Sequence, residues 1–163
     1  KNTALVALLL NRNFCPKIDA GKVLLAGLLH DVGKMYDKTE LPKNIKNAIP
    51  SDSIGTPVQH QFVSAEIVKN DFHISDEDVL NAIRFHTTGR ENMSQFEKLI
   101  YVSDLISYER NFQGVESLRK AVYNDFEKGF ITCLTYSRDY VVETGRAVYP
   151  LTDKAINFYK ENL

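Results

Sequence analysis

The segment LLAGLLHDVGK, at Leu24–Lys34, decides the fold expected of this chain. No side chain in Val23–Leu29 is polar, and the apolar run leads directly into His30 and Asp31. A carboxylate at the end of a buried helix is costly unless it is paired or coordinates a metal ion. We therefore expect the rest of the chain to supply the partners that compensate Asp31.

The local sequence also sets the bounds of this helix. Asp19 is a suitable N-cap and Gly33 a suitable stop, so the pattern predicts a helix over Ala20–Val32. Its continuous apolar character predicts that the helix is buried on all sides as the central wall of the domain.

Length and composition favour one globular domain over residues 1–163, with 44% hydrophobic and 25% charged residues. A net charge of −1 gives no electrostatic reason to expect nucleic acid or an anionic membrane as a partner. The early apolar run Ala4–Leu10 is too short to span a bilayer. Cys15 and Cys133 lack metal-binding spacing, and reduced thiols would suit a cytoplasmic location.

Helical periodicity recurs along the chain, and no alternating strand pattern with a hairpin turn is present. The strongest start signals are Ser75, which precedes a cluster of acidic residues, and the capping box of Ser94 and Glu97. The sequence predicts an all-α fold. Besides the helix already named, helices are predicted at Thr3–Asn11, Pro42–Ala48, Val58–Asn70, residues 75–86, Gln95–Tyr108, Val115–Tyr123, Asp125–Thr144 and Thr152–Asn162.

Metal-capable side chains interrupt the apolar stripes of four predicted helices. Asp104 lies in LIYVSDLI, which is otherwise nearly apolar, so this carboxylate is expected to face inward. Imidazoles and carboxylates together suit first-row divalent metals, and an aspartate that bridges two ions is typical of two-metal hydrolytic sites. Singly, a histidine is more often a hydrogen-bonded core residue and an aspartate a cap or ion-pair partner. The ordered set favours metal ligation and consists of His30, Asp31, His60, His86 and Asp104.

Cationic residues lie close in sequence to these candidate ligands: Lys34, Arg84, Arg90 and Arg110. Each one alone is most simply a solvated surface charge. Together, in a chain without net positive charge, they indicate a local anion site, and phosphate is the natural ligand. His73 belongs to neither group and is interpreted as a surface residue.

Three segments carry a resemblance to a known family: HDVGK at His30–Lys34, RFHTTGRENMS at Arg84–Ser94 and EKLIYVSDLI at Glu97–Ile106. They resemble the HD-domain phosphohydrolase superfamily, and more narrowly its YqeK-type branch, the symmetrical diadenosine tetraphosphate hydrolases of bacteria. The similarity extends over nearly the whole chain. It implies an HD-domain helical bundle with a small-molecule nucleotide as substrate.

The resemblance also implies a chemistry. Two divalent ions would be held by the five candidate ligands, with iron the first choice and manganese or another first-row metal possible. The central phosphoanhydride of diadenosine tetraphosphate would be cleaved to two ADP. We assign catalytic roles to Asp31, Asp104 and Lys34. By their proximity to the motifs, the candidate substrate-binding residues are Lys34, Arg84, Arg90 and Arg110.

Several alternatives stay open from sequence. An HD-domain enzyme could act on nucleoside monophosphates or other small phosphates, or the domain could bind nucleotides without turnover. A homodimer is possible. The family pattern begins with one more histidine on the first helix, and this chain has none before His30. Either that ligand lies upstream of Lys1, or this chain lacks it. We expect the first, with a truncated N-terminal end.

Overall fold

The structure, a computed structural model, describes residues 2–36 and 40–161, and within these residues it contains helices and no strand. This result confirms the all-α prediction. The α-helices are α1 (Asn2–Phe14), α2 (Ala20–Leu29), α3 (Lys43–Ala48), α4 (Gln59–Asn70), α5 (Glu77–Arg84), α6 (Gln95–Leu105), α7 (Val115–Asn124), α8 (Phe126–Glu143) and α9 (Pro150–Glu161). Short 3-10 helices occupy Val32–Tyr36 and Ser51–Ser53.

Helix α2 packs closely against α1 but is not buried on all sides. A methyl group on Gly27 would lie 2.7 Å from the Ala4 Cα atom, so glycine is what permits the two backbones to approach. The opposite face is open, with Leu24 41% and Leu28 48% exposed. The prediction of a fully buried central helix is therefore wrong, because only the face carrying Val23, Ala26 and Gly27 is covered.

The end of α2 also differs from the prediction. The α-helix stops at Leu29 rather than Val32, and a tighter 3-10 helix follows after Asp31. Gly33 is not a helix stop. Its amide donates to the Ser64 Oγ atom at 2.9 Å, and a methyl group there would lie 2.6 Å from the Ser64 nitrogen. Gly33 thus permits the close packing of this turn against α4, which brings Asp31 next to that helix.

The core has two parts, and α4 contributes to both. Val68 and Ala65 of α4 belong to the main core, which is built largely from α1, α5, α6, α8 and α9. Phe62, Val63 and Ile67 belong to a smaller cluster under α3. Because α4 is held from both sides, 9 of its 12 residues are buried. It is therefore a rigid support for any functional group at its N-terminal end.

The predicted caps are mostly confirmed. Asp19 accepts from the Lys22 amide, and Ser94 and Glu97 form the expected capping box. Helix α5 is capped by Asp76, whose side chain accepts two amides, rather than by Ser75. Helix α6 ends three residues earlier than predicted, because Ile106 leaves helical geometry.

The remaining expectations concern the surface and the ends of the chain. His73 is exposed in the turn between α4 and α5, as predicted. Cys15 and Cys133 are free and buried. None of the helices within 2–36 and 40–161 has the length and apolar character needed to cross a bilayer. Asn162, the predicted end of the last helix, lies outside the described residues.

The close approach of α1 and α2 gives a stability test. Gly27→Ala should lower the free energy of unfolding by about 1–3 kcal/mol, because the added methyl overlaps the Ala4 backbone. Gly21→Ala on the same helix is the control. Its methyl group meets only the Asp19 Oδ1 atom, so its effect should stay within about 0.5 kcal/mol. Urea denaturation measures both, and equal losses would contradict the packing described.

Candidate metal centre

Three histidines share one local geometry. The Nδ1 atoms of His30, His60 and His86 lie 2.9, 2.9 and 2.7 Å from the backbone carbonyl oxygens of Gly27, Pro57 and Ile83. In each case the carbonyl belongs to the residue three positions earlier. A carbonyl oxygen only accepts, so each Nδ1 carries the hydrogen and, in the neutral ring, leaves a lone pair on Nε2. This arrangement is typical of metal-ligating histidines.

The Nε2 atoms converge from three parts of the fold. His30 follows α2, His60 lies in the first turn of α4, and His86 lies just after α5. The Nε2 atoms of His60 and His86 are 3.3 Å apart. Two facing lone pairs at this distance repel unless a positive charge lies near both. Ligands of one first-row ion, each about 2.0–2.2 Å from it, lie roughly 3–3.5 Å apart, so the spacing fits a shared ion.

Asp31 lies between the histidines and turns one oxygen to each side. Its Oδ1 atom is 3.5 Å from the Nε2 atoms of both His60 and His86. Its Oδ2 atom is 3.4 Å from the His30 Nε2 atom and 2.6 Å from the Lys34 Nζ atom. Asp31 Oδ1 and His30 Nε2 are both buried and have no hydrogen-bond partner within the part of the chain that the structure describes. A buried carboxylate oxygen and a buried ring nitrogen left in this state are the atoms a cation would satisfy.

Asp104, on α6, closes the other side of the site. Its Oδ1 atom is 3.4 Å from the His30 Nε2 atom, and the Arg110 Nη2 atom donates to both carboxylate oxygens at 2.9 Å. Arg110 therefore fixes the orientation of this carboxylate. Thr3 Oγ1 lies 3.5 Å from the Asp104 Oδ1 atom, so the first turn of α1 borders the same site.

The candidate ligands divide into two groups whose donor atoms lie within 4.8 Å of one another: His30, His86 and Asp104, and Asp31, His60 and His86. His86 belongs to both groups. All five residues proposed as metal ligands from sequence are therefore brought together, and the arrangement could hold divalent metal. Their nitrogen and oxygen donors, without a thiolate, suit first-row ions.

Electrostatics at the site reflect the burial of opposite charges. Burial lowers the pKa of His30, but contacts with Asp104 and Asp31 outweigh it and raise the pKa from 6.5 to about 9. Burial, followed by the charge of His86, lowers the pKa of His60 to about 4. Burial would raise the pKa of Asp31 and Asp104, yet contacts with the imidazoles hold both values below the ordinary range. Both carboxylates are therefore charged, and His30 carries a second proton on Nε2 that a bound metal ion would displace.

The buried side chain of Gln61 fixes the position of His60 relative to His86. The Gln61 Oε1 atom accepts the Thr87 and Thr88 amides at 3.0 and 3.1 Å, and its Nε2 donates to the Thr88 hydroxyl at 3.0 Å. These bonds tie the residue after His60 to the residues after His86. The Thr87 Oγ1 atom also lies 3.1 Å from the His60 Nε2 atom. Sequence reasoning missed Gln61, although a glutamine inside an apolar helical stripe is a usable signal.

The four cations predicted to bind phosphate differ in their surroundings. Lys34 pairs with Asp31, and Arg110 with Asp104, so both lie at the metal centre. Arg90 makes a two-point ion pair with the buried Glu97, and Arg84 donates to Asn81 at 2.6 Å. A large cavity lies beside the candidate ligands, and neither Arg84 nor Arg90 is among the residues that line it. The structure therefore brings two of the four cations to the site and does not bring Arg84 or Arg90.

A cavity of about 830 Å³ adjoins the metal centre. His86, Asp104 and Arg110 line it, and α8 and the segment after it supply the opposite wall. That wall includes Tyr136, Tyr140, Arg146 and Tyr149, none of which was predicted from sequence as a site residue. The volume lies in the range of small-molecule sites.

Comparison with known proteins gives a family, two relatives and a solved structure that resemble this chain. The HD-domain family matches residues 1–109. The symmetrical bis(5'-nucleosyl)-tetraphosphatase of Halalkalibacterium halodurans is 37% identical over 137 residues, which cover 82% of this chain and 73% of the relative. The protein of the same name from Staphylococcus aureus is 34% identical over 149 residues, covering 86% and 75%. A crystal structure described as a predicted HD superfamily hydrolase involved in NAD metabolism, from Clostridium acetobutylicum, has a TM-score of 0.86 and 32% identity, covering 99% of this chain and 87% of that one.

The role of Gln61 can be tested by removing its hydrogen-bonding groups at similar volume. Gln61→Met leaves the Thr87 and Thr88 amides without their acceptor, so the free energy of unfolding should fall by about 2–3 kcal/mol. Metal affinity should fall about 10–100-fold, because His60 and His86 lose their mutual alignment. Thermal unfolding and metal titration measure these effects. The exposed Gln95→Met is the control, and similar losses in both variants would refute this role.

Proposed function

Because this chain belongs to the HD-domain family, in the group of the symmetrical bis(5'-nucleosyl)-tetraphosphatases, we propose that it cleaves diadenosine tetraphosphate symmetrically into two molecules of ADP. HD-domain hydrolases bind divalent metal. The observation that carries the proposal is the convergence of three histidine Nε2 atoms on two charged carboxylates at 3.4–3.5 Å.

The proposed metal ligands are His30, Asp31, His60, His86 and Asp104. Two ions are favoured because the donors form two overlapping groups and Asp31 turns its two oxygens to different histidines. We propose iron, with manganese or another first-row metal as the alternative. When bound, such a pair would activate water and would neutralise charge on the attacking and leaving oxygens.

The chain's own residues orient and pair the groups of the site. The three Nδ1–H bonds to backbone carbonyls fix the ring planes, so that no reorganisation is needed when the substrate arrives. Arg110 fixes Asp104 through two hydrogen bonds and also lines the cavity, so its remaining donors can reach a phosphate oxygen. Lys34 holds the Asp31 Oδ2 atom at 2.6 Å and would shift between this carboxylate and a phosphate. The catalytic roles of Asp31, Asp104 and Lys34 are thus proposed as ligation for the aspartates and charge pairing for the lysine.

The proposed substrate contacts follow the geometry rather than the sequence alone. Lys34 and Arg110 are retained, and Arg146 is added because it lines the cavity with Arg110. Arg90 is better explained as the partner of the buried Glu97, and Arg84 as the partner of Asn81. A cytoplasmic location, a homodimer and an additional ligand upstream of Lys1 stay predictions.

Product analysis tests the proposed reaction. Iron- or manganese-loaded protein, prepared without oxygen and assayed in ¹⁸O-labelled water, should convert diadenosine tetraphosphate to ADP alone. Label should enter one of the two ADP molecules, because water adds to one phosphorus and the other ADP leaves with the bridging oxygen. Formation of ATP and AMP would contradict symmetrical cleavage. Turnover of nucleoside monophosphates without turnover of the tetraphosphate would favour the alternative substrate class, and nucleotide binding without any turnover would favour a binding module.

The ligand assignment is tested by a pair of histidine variants. His86→Gln should lower both bound metal and kcat/KM, the latter by more than about 100-fold, since His86 belongs to both ligand groups. His73→Gln changes an exposed histidine and should match the wild type in both respects. Elemental analysis and steady-state kinetics are the measurements. Full metal content and turnover in His86→Gln would remove the basis of the proposed centre.

A further inference from the structure

The wall of the cavity opposite the metal ligands is built by the part of the chain beyond the HD-domain match, which ends at residue 109. Two residues one turn apart on α8, Tyr136 and Tyr140, line it together with Arg146 from the following segment. The Tyr136 ring stacks on Phe112 with centroids 5.3 Å apart, and its hydroxyl donates to the Gln113 carbonyl at 2.9 Å. This half of the wall is therefore fixed before any ligand binds.

The other half of the wall offers an open aromatic surface. Tyr140 is 51% exposed, and the Arg146 guanidinium lies 5.7 Å from its ring centroid. An aromatic ring with a neighbouring arginine is a surface on which a nucleobase stacks, while the arginine meets the attached phosphates. The chemistry of this wall fits a nucleotide rather than an inorganic phosphate.

One polar group in the cavity has no partner. Tyr101 lies on α6 one turn before Asp104 and lines the same cavity, yet the residue is only 2% exposed. Its hydroxyl oxygen is buried and, among residues 2–36 and 40–161, has no partner at hydrogen-bond geometry. Ser137 lies near enough to lower the pKa of the phenol by a weak interaction, but outside that geometry. Burial is the larger influence and raises the pKa of Tyr101, so the hydroxyl keeps its hydrogen.

An unpaired buried hydroxyl destabilises a folded protein, and its retention beside a ligand cavity needs a reason. The rings of Tyr101 and Phe130 pack in a T-shaped arrangement with centroids 5.7 Å apart, which holds the Tyr101 ring in place. A donor held in this way, next to Asp104 and the aromatic wall, is suited to an oxygen atom of a bound ligand.

Resting on the proposed function, we infer that the Tyr101 hydroxyl donates a hydrogen bond to an oxygen of the ribose, or of the adjoining phosphate, of the bound nucleotide. The base of that nucleotide lies against the aromatic wall formed by Tyr136 and Tyr140. Tyr101 is thus a positioning residue for the substrate, and α8 supplies the selectivity for nucleosides that the metal centre itself lacks.

Tyr101→Phe tests this inference, because it removes only the unpaired hydroxyl. Calorimetric titration of manganese-loaded protein with ADP should show affinity about tenfold weaker than wild type. KM for diadenosine tetraphosphate should rise to a similar extent while kcat changes by less than about twofold. The melting temperature should stay the same or rise, because no hydrogen bond within the protein is lost. Tyr123→Phe, at an exposed tyrosine outside the cavity, should match wild type throughout.

A parallel titration with adenosine shows whether the Tyr101 hydroxyl donates to the ribose or to the phosphate. Weaker binding of both adenosine and ADP assigns the ribose, and a loss confined to ADP assigns the phosphate. Unchanged ADP affinity in Tyr101→Phe overturns the inference, and so does a lowered melting temperature, which would indicate a structural hydroxyl. If wild-type protein binds ADP but does not cleave the tetraphosphate, the proposed function fails. The role of Tyr101 can still be tested in that case, because it is measured as the difference in ADP affinity between Tyr101→Phe and wild type.

Discussion

The site depends on one repeated interaction, the hydrogen bond from a histidine Nδ1 atom to the carbonyl oxygen three residues earlier. It occurs at His30, His60 and His86, with distances of 2.7–2.9 Å. Each bond selects the tautomer and holds the ring plane, so three Nε2 atoms enter one buried volume with two carboxylates. Burying these groups is costly unless a positive charge lies among them. Local backbone geometry together with burial thus favours a bound cation at this site.

The remainder of the fold serves to bring these three local motifs together. Gly33 lets the turn that follows Asp31 pack directly on the backbone of α4, where His60 begins the helix. Gln61 ties α4 to the segment after His86, and Arg110 fixes Asp104. Helix α4, covered on both sides by core residues, provides the rigid support for this arrangement. Tertiary contacts thus set the 3.3–3.5 Å spacings that the ligands need.

Sequence reasoning predicted which five side chains converge, because their chemistry and their burial are both visible in the sequence. His30, Asp31 and Asp104 each interrupt an apolar run, and such an interruption requires compensation wherever the chain folds. The all-α class was predictable for a similar reason, since periodicity is a local property.

The exposure of Leu24 and Leu28 could not be predicted, because apolar residues on every side of a helix do not show which face a neighbouring helix covers. The positions of Arg84 and Arg90 outside the cavity lining could not be predicted either, since proximity in sequence to His86 says nothing about the direction of a long side chain. Tyr101, Tyr140 and Arg146 could not be predicted because their shared cavity is created by packing between distant helices.

The central claim is that five side chains form a metal centre: His30, Asp31, His60, His86 and Asp104. Anomalous scattering from crystals of the metal-loaded protein tests this claim most directly. Data collected on both sides of the absorption edge of the bound metal should give two peaks. One should lie within bonding distance of the Nε2 atoms of His60 and His86 and of Asp31, and the other within bonding distance of His30 and Asp104. A fully loaded crystal with no anomalous peak among these residues, or with its metal on surface histidine or acidic side chains, would contradict the account.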